Sequence, residues 1–168
     1  MNMPKLNNSD ILENGWWSIF PKSSVKWIRL GRFDRPIGFW LLLLPGWWVL
    51  PLTSFDLLTC IKLMFIFIIG SNVMRDAGST INDLWDKDID KKISRTKNRP
   101  LANGEISNLK AFYFLILMLL IGFFCLYQLN VYTWFVAIAA IPLVIIYPLA
   151  KRFTKWPQIF LGLTFSWA

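Results

Sequence analysis

Histidine is absent from the 168 residues, and cysteine occurs only twice. The first absence removes the commonest general base and the commonest zinc ligand. Cys60 and Cys125 stand singly within or near apolar runs, so neither a disulfide framework nor a thiolate metal site is expected. Acids are scarce too: ten Asp and Glu face eighteen Lys and Arg, for a formal charge of +8. No uninterrupted apolar stretch precedes Pro36, so the basic, Pro-broken start is not expected to be a signal peptide. Internal repeats and low-complexity tracts are also missing.

What is abundant is apolar surface. Hydrophobic residues make up 55% of the chain, with ten Trp and fourteen Phe, more than one soluble domain of this length can bury within itself. A bilayer is the natural solvent. Four runs approach the roughly 20 residues that a spanning helix needs: Pro36 to Phe55, Leu57 to Met74, Ala111 to Leu129 and Val131 to Ala150. Pro45, Gly38 and Gly46 are tolerated in such helices. Pro157 to Ala168 starts a fifth apolar stretch. The expected fold class is all-α: a polytopic membrane helical bundle of four complete transmembrane helices plus the start of a fifth. Residues 1–35 form an interfacial segment and 36–168 the membrane part. WWSIFPKSSVKWIRLGRF, within the first segment, mixes aromatics suited to the headgroup level with cations suited to anionic lipid.

The cations also orient the chain. Six precede the first run, eight lie between Arg75 and Lys110, and three follow the fourth run (Lys151, Arg152, Lys155), leaving only Lys62. The positive-inside rule then puts the N terminus, the second loop and the fourth loop on the cytoplasmic side. The excess positive charge is a topology signal; no separate soluble module exists to bind nucleic acid, and none is expected as a partner.

One stretch breaks the apolar pattern. INDLWDKDIDKKISRTKNRP, Ile81 to Pro100, packs four Asp and six cations into twenty positions. If the second span continues through it as a helix, Asn82, Asp83, Asp86 and Asp90 share an arc of about 100°, and Asp88 points elsewhere. Carboxylates at that spacing repel unless a cation joins them. Hard oxygen donors suit Mg²⁺, which takes one or two carboxylates and completes its shell with water and phosphate oxygens. The alternative is a solvated loop in which Lys87, Lys91, Lys92 and Arg95 pair with the acids. Ionisable residues at a membrane helix end are costly unless used, which favours the metal.

Lys87, Arg95 and Arg99, with Lys151 and Arg152 across the other cytoplasmic turn, can rim such a site and hold an anion, Arg matching phosphate oxygens bidentately. Metal plus basic rim implies a diphosphate. Taken singly, each cation is better explained as a positive-inside anchor. Trp40, Trp47 and Trp48 are interface belts or, alternatively, an aromatic wall for a cationic intermediate.

NDLWDKDID followed by SRTKNRPLANGEIS resembles the first aspartate-rich motif, N-D-x-x-D-x-x-x-D with its R-T-x-x-R-P-L-x-x-G continuation, of the UbiA superfamily of intramembrane aromatic prenyltransferases. RFDRPIGFWLLLLPGWW is similar to that family's first helix and MRDAGSTIND to its approach to the second-helix motif. YPLAKRFTKWPQIFLGLTFSW resembles the fourth-to-fifth helix junction of the branch that prenylates 4-hydroxybenzoate. The spacing, the RPL tail and the membrane context together make the match specific.

The resemblance implies an all-helical membrane enzyme of the ubiquinone-biosynthesis type, usually of nine helices around a cavity open to the bilayer. Its substrates are a polyprenyl diphosphate and 4-hydroxybenzoate, its cofactor is Mg²⁺, and its expected location is a bacterial inner membrane. Asn82, Asp83, Asp86 and Asp90 match the metal-diphosphate side, with Asp83, Asp86 and Asp90 as the catalytic acids. Lys87 matches a basic position, and Arg152 and Arg32 match positions that bind diphosphate or the aromatic acid. The implied chemistry is departure of diphosphate, formation of an allylic cation, and attack by the ring carbon ortho to the phenol hydroxyl. Keeping water from that cation is a reason to build the site in a membrane.

Two departures qualify the match. Asp76 stands where the family usually has a small residue, so the cavity wall differs or the acid faces Arg75 or Lys62. The second aspartate-rich motif is absent, so the 168 residues are expected to be an N-terminal portion that works only with a C-terminal half-chain. An inactive membrane remnant of the family, and a small ion-binding channel or transporter, are the competing expectations. The latter is disfavoured because the acids sit in a basic loop and not at midplane.

Overall fold

The computed structural model describes residues 9, 11, 15–53, 55–154 and 156–167, with side chains at 147, 148, 151–153, 157 and 165 outside that set. Six α-helices and no strands occur among the described residues: α1 (Lys22–Leu30), α2 (Ile37–Val49), α3 (Leu57–Asp90), α4 (Asn108–Tyr127), α5 (Val131–Phe153) and α6 (Pro157–Phe165). A 3-10 turn, Trp16–Ile19, precedes α1, and another, Leu50–Leu52, closes α2.

Side-chain caps set half of the helix starts. Asp56 accepts from the Thr59 N–H at 3.1 Å, Ser107 from the Lys110 N–H at 3.4 Å and Asn130 from the Thr133 N–H at 2.9 Å, so α3, α4 and α5 each begin on a side-chain cap. The helix of the first apolar run is shorter than its apolar composition predicts. Pro51 lacks the N–H a further turn needs, and the chain leaves through the Leu50–Leu52 turn into extended Thr53.

Two helices, α3 and α4, are long and apolar enough to cross a membrane, while Ile37–Leu52 and Val131–Ile146 are shorter apolar segments. Only 11% of the apolar window of α3 and 28% of that of α4 is buried by the rest of the chain. Helices that serve as the core of a soluble domain would be mostly covered, so these surfaces need lipid or further protein. By this measure two spans are evident among the described residues, where four complete ones are expected from the sequence.

The helix α3 settles the condition attached to the acidic stretch. It runs without interruption for 34 residues, about 50 Å at 1.5 Å per residue, against a hydrocarbon core of about 30 Å. Its last four turns therefore stand beyond the apolar segment. There α1 and the loop after α3 close around it. Leu30, Leu101, Ile106 and Ala111 are fully buried together, with Trp27, Leu84 and Phe114 packed against them. Val73, Ala77, Leu115 and Met118 form the α3–α4 core just below. Gly122 lets the helices approach: a Cβ there would stand 2.8 Å from Met74 Sδ. Trp47 ties α2 to α3 by donating its Nε1–H to the Met64 carbonyl at 3.2 Å, whereas Trp40 and Trp48 are exposed.

Candidate active site

The end of α3 buries one stripe of polar residues. Asp76, Thr80, Asp83 and Asp90 are all buried, and Asp76, Asp83 and Asp90 are spaced seven apart, which keeps them on one face of a 3.6-residue helix. Asn82 and Asp86 flank the stripe, half-buried. Asp88 lies off it, its side chain 89% exposed and 3.3 Å from Lys91.

Two arginines from distant parts of the chain converge on that stripe. Arg32, in the turn between α1 and α2, places Nη2 2.7 Å from Asp83 Oδ1. Arg99, in the loop after α3, places Nη1 3.1 Å from the same oxygen and 2.9 Å from Asp90 Oδ2. All four side chains are largely hidden from solvent. Charge-assisted bonds between ions removed from water recover the desolvation cost only when the geometry is good.

Each arginine is delivered by the residues around it. Arg32 has φ +60°, in the left-handed region, a conformation costing about 1–2 kcal/mol outside glycine. Arg75, on α3, holds that turn by donating to the Arg32 carbonyl at 2.9 Å and to the Arg35 carbonyl. Gly38 leaves room for the Arg75 side chain: a Cβ there would meet Nε at 2.6 Å. Arg99 is carried by a loop that is anchored by buried residues at intervals. Thr96, Pro100, Leu101, Ala102 and Ile106 are buried, Thr96 donates its hydroxyl to the Asp90 carbonyl at 3.1 Å, and Gly104 turns the chain at φ +84°. The RPL tail thus has a packing reason: Leu101 plugs the core and Arg99 is swung onto the acids.

The other expected site residues are distributed differently. Lys87 turns towards α4 and donates to Asn108 Oδ1 at 2.6 Å. Arg95 is exposed on the loop. Lys151 and Arg152 lie in α5, but their side chains fall outside the described residues. Asp76 is fully buried, and neither carboxylate oxygen is hydrogen-bonded among the described residues; its Cγ would stand 3.1 Å from a Cβ on Gly31. The guanidinium of neighbouring Arg75 bonds to backbone carbonyls, leaving that acid a Coulombic neighbour only.

Arg75 and Asp34 emerge only in three dimensions. Asp34 is 4% exposed and 3.5 Å from Arg35. Burial pushes its carboxyl above the usual range, against the opposing pull of Arg35, Arg32 and Arg29. The seven-residue spacing from Asp76 to Asp83 is the one available sequence signal for the membrane-side end of the stripe.

The donor set is suited to a hard cation. Asp83 Oδ2 is buried with no hydrogen-bond partner among the described residues, and Asn82, Asp86 and Asp90 lie within two turns of it along α3. No three acidic, Cys or His side chains converge at metal-binding spacing among the described residues. That pattern fits an ion such as Mg²⁺, which needs only one or two carboxylates and takes its remaining oxygens from water or a phosphate ligand.

Fold and site together define a helical membrane protein with a buried carboxylate–arginine cluster at one end of its longest helix. A sequence model of the UbiA prenyltransferase family matches residues 39–168, and the chain belongs to that family. A 4-hydroxybenzoate geranyltransferase 2 from Lithospermum erythrorhizon is 46% identical over 153 residues, covering 90% of this chain and 50% of that protein. The mitochondrial 4-hydroxybenzoate polyprenyltransferases of Aedes aegypti and Rattus norvegicus are 47% and 45% identical, covering 83% and 88% of this chain but 32% and 40% of those proteins. The chain thus spans half or less of the length of these relatives. No solved structure matches it.

Proposed function

We propose that this chain provides one side of the active site of an enzyme that transfers a polyprenyl group from its diphosphate to 4-hydroxybenzoate. The observation that carries the proposal is the convergence of Arg32 and Arg99 on Asp83 and Asp90 in a member of a prenyltransferase family whose relatives, at 45–47% identity, are named for that acceptor. Asn82, Asp83, Asp86 and Asp90 would hold Mg²⁺, which when bound supplies positive charge to a leaving diphosphate.

The chain's own residues do the rest of the work assigned here. Arg32 and Arg99 fix the rotamers of Asp83 and Asp90, so that the acids are in place before substrate arrives. A guanidinium matches phosphate oxygens bidentately, so an added cation that shared the carboxylates would let Arg32 and Arg99 turn towards a phosphate. Lys87, Arg95, Lys151 and Arg152 add positive potential that favours an anionic substrate. The buried residues Thr96, Pro100, Leu101, Ala102 and Ile106 of the loop after α3 help to exclude water from the helix end, which would protect an allylic cation from hydrolysis.

The proposed arrangement has four spans and the start of a fifth in an inner membrane, with the N terminus and acidic end cytoplasmic. A bacterial inner membrane is the location proposed, while the insect and rat relatives are named as mitochondrial. The relatives extend well beyond the matched length, and the region that follows the match in them is the proposed source of the remaining side of the site. Co-expression with the C-terminal half of a close relative tests this: prenylation of 4-hydroxybenzoate that depends on Asp83 is the expected result. Failure with several such halves, each shown to co-purify, would favour an inactive remnant.

A further inference from the structure

The acid at the membrane-side end of the buried stripe has no task in the proposed reaction. Asp76 is two positions past Met74, where the second apolar run ends. It is 0% exposed, and both of its carboxylate oxygens are buried with no hydrogen-bond partner among the described residues. An ionised carboxylate in that state is far more costly than a neutral acid. The burial leaves no room for a ligand, so what can come and go at Asp76 is a proton.

Its neighbours give that proton something to control. Asp76 packs against the turn between α1 and α2, its Cγ 3.1 Å from where a Gly31 Cβ would stand. The next residue, Arg32, takes φ +60° and reaches Asp83. Arg75 is the charged group that acts on Asp76, and it donates instead to the carbonyls of Arg32 and Arg35. Asp34, Arg32 and Arg35 face Arg75 from the turn, while α2, and α4 beyond Lys110, contain no charged residue. A guanidinium bonds a carboxylate more strongly than a neutral carbonyl, so an ionised Asp76 would compete with the turn for Arg75.

We propose that Asp76 is a proton-operated latch on the turn that aims Arg32 at Asp83. With its proton, the acid stays packed against Gly31 and Arg75 holds the turn. Without it, the carboxylate draws the Arg75 guanidinium off the Arg32 and Arg35 carbonyls, and Arg32 loses the backbone conformation from which it reaches Asp83. The latched state binds the proton more tightly than the released one, so the latch is complete at low pH and weakens as pH rises, by up to about tenfold per unit. Asp76 is thus a positioning residue, acting on Arg32 through Arg75. The latch rests on the proposed function only for the task it gives Arg32 in prenyl transfer.

The test is amide hydrogen exchange of the purified 168-residue chain in a non-ionic detergent, from about pH 5.5 to about pH 9, corrected for the intrinsic effect of pH on exchange. Gly31, Arg32, Phe33 and Arg35 donate their N–H groups to carbonyls of α1 or of the turn itself, so their protection reports whether the turn is held. In the wild type that protection is expected to fall about tenfold or more as pH rises, while the Ala111–Met118 part of α4 stays unchanged. Asp76→Asn, which cannot ionise, should keep the low-pH protection throughout, and Asp34→Asn should fall as the wild type does. Arg75→Gln should show the unprotected level at every pH; if it does not fold, the comparison of wild type with Asp76→Asn decides alone. Wild-type protection that is flat with pH, or the same fall in Asp76→Asn, would overturn the latch. So would loss of the fall in Asp34→Asn, which would assign the proton to Asp34, or an equal fall in α4, which would be unfolding of the whole chain. No readout depends on prenyl transfer, so failure of the latch and failure of the proposed function are told apart.

Discussion

Arg32 Nη2 stands 2.7 Å from Asp83 Oδ1, across a separation of 51 positions. The contact joins the turn before the first apolar helix to the buried face of α3, and it is made from a left-handed backbone. Removing the side chain leaves Asp83 with Arg99 as its remaining recorded ion pair. Breaking a buried pair typically costs about 3–5 kcal/mol; because half of the compensation survives, about 1–3 kcal/mol is expected for Arg32→Ala. Arg32→Gly should lose about 1 kcal/mol less, since glycine adopts the positive φ without strain. Melting in detergent checks the order, and a glycine variant less stable than the alanine variant would contradict the backbone assignment.

The loop after α3 should fail from its hydrophobic plug. Leu101 is fully buried with Leu30, Ile106 and Ala111, and Leu→Ala at such a position costs about 2–5 kcal/mol. Leu101→Ala is expected to release the segment carrying Arg95, Lys97 and Arg99, seen as faster trypsin cleavage there. Unaltered cleavage would mean that the loop is held by Arg99 alone.

Helical phase can be read through the acids. In a co-expressed, active pair of half-chains, Asp83→Asn, Asp86→Ala and Asp90→Ala should each reduce prenyl transfer by a factor on the order of 10² or more. Asp88→Ala, off the stripe, should change it less than about threefold. Comparable losses at all four positions would show that the segment works through net charge and not through one face.

Metal and diphosphate should stabilise the native state together. A ligand that binds only the folded chain raises its stability by roughly 2.7 kcal/mol at a hundred times its dissociation constant. Mg²⁺ with geranyl diphosphate is expected to raise the melting temperature more than either alone, and Asp83→Asn should abolish that excess. An identical response in Asp83→Asn would remove the acids from the binding site.

Asp34 gives a pH dependence of known sign. Its folded carboxyl titrates above the unfolded value of 3.8 because it is buried. Between 3.8 and that raised value the native state holds a proton that the unfolded chain has lost, so this group's contribution falls as pH rises through the window and is constant above it. Asp34→Asn removes the charge. The stability difference, variant minus wild type, should therefore grow as pH rises through that window and then level off; a difference that shrinks would mean the ion pair with Arg35 outweighs burial.

The sequence was most informative where structure is local. Helical spacing alone separates Asp88 from Asp83 and Asp90, and the structure exposes the one and buries the others. The apolar runs anticipate α3 and α4, because spans need only length and composition. What stayed illegible depends on contacts between distant segments. Lys87 and Arg99 read alike as cations of one basic rim, yet one reaches Asn108 and the other Asp83, because Leu101 and Ile106 fold the loop back onto α1. Arg75 reads as a topology charge; its role in holding the Arg32–Arg35 turn follows from a positive φ and a glycine clearance that no periodicity encodes.

The continuity of α3 has a mechanical consequence. A single rod, with no proline anywhere in its 34 residues, has its lower part among lipid chains and bears its carboxylates on an overhang of about 20 Å. Such a rod, unbroken along its whole length, passes a change in inclination from one end to the other. A shift of about 10° in tilt, as a thicker or thinner bilayer imposes, sweeps the far end sideways by about 3 Å. That is the length of the ion pairs formed there, so the thickness of the surrounding bilayer is transmitted as leverage to the distances between Asp83 and its arginines.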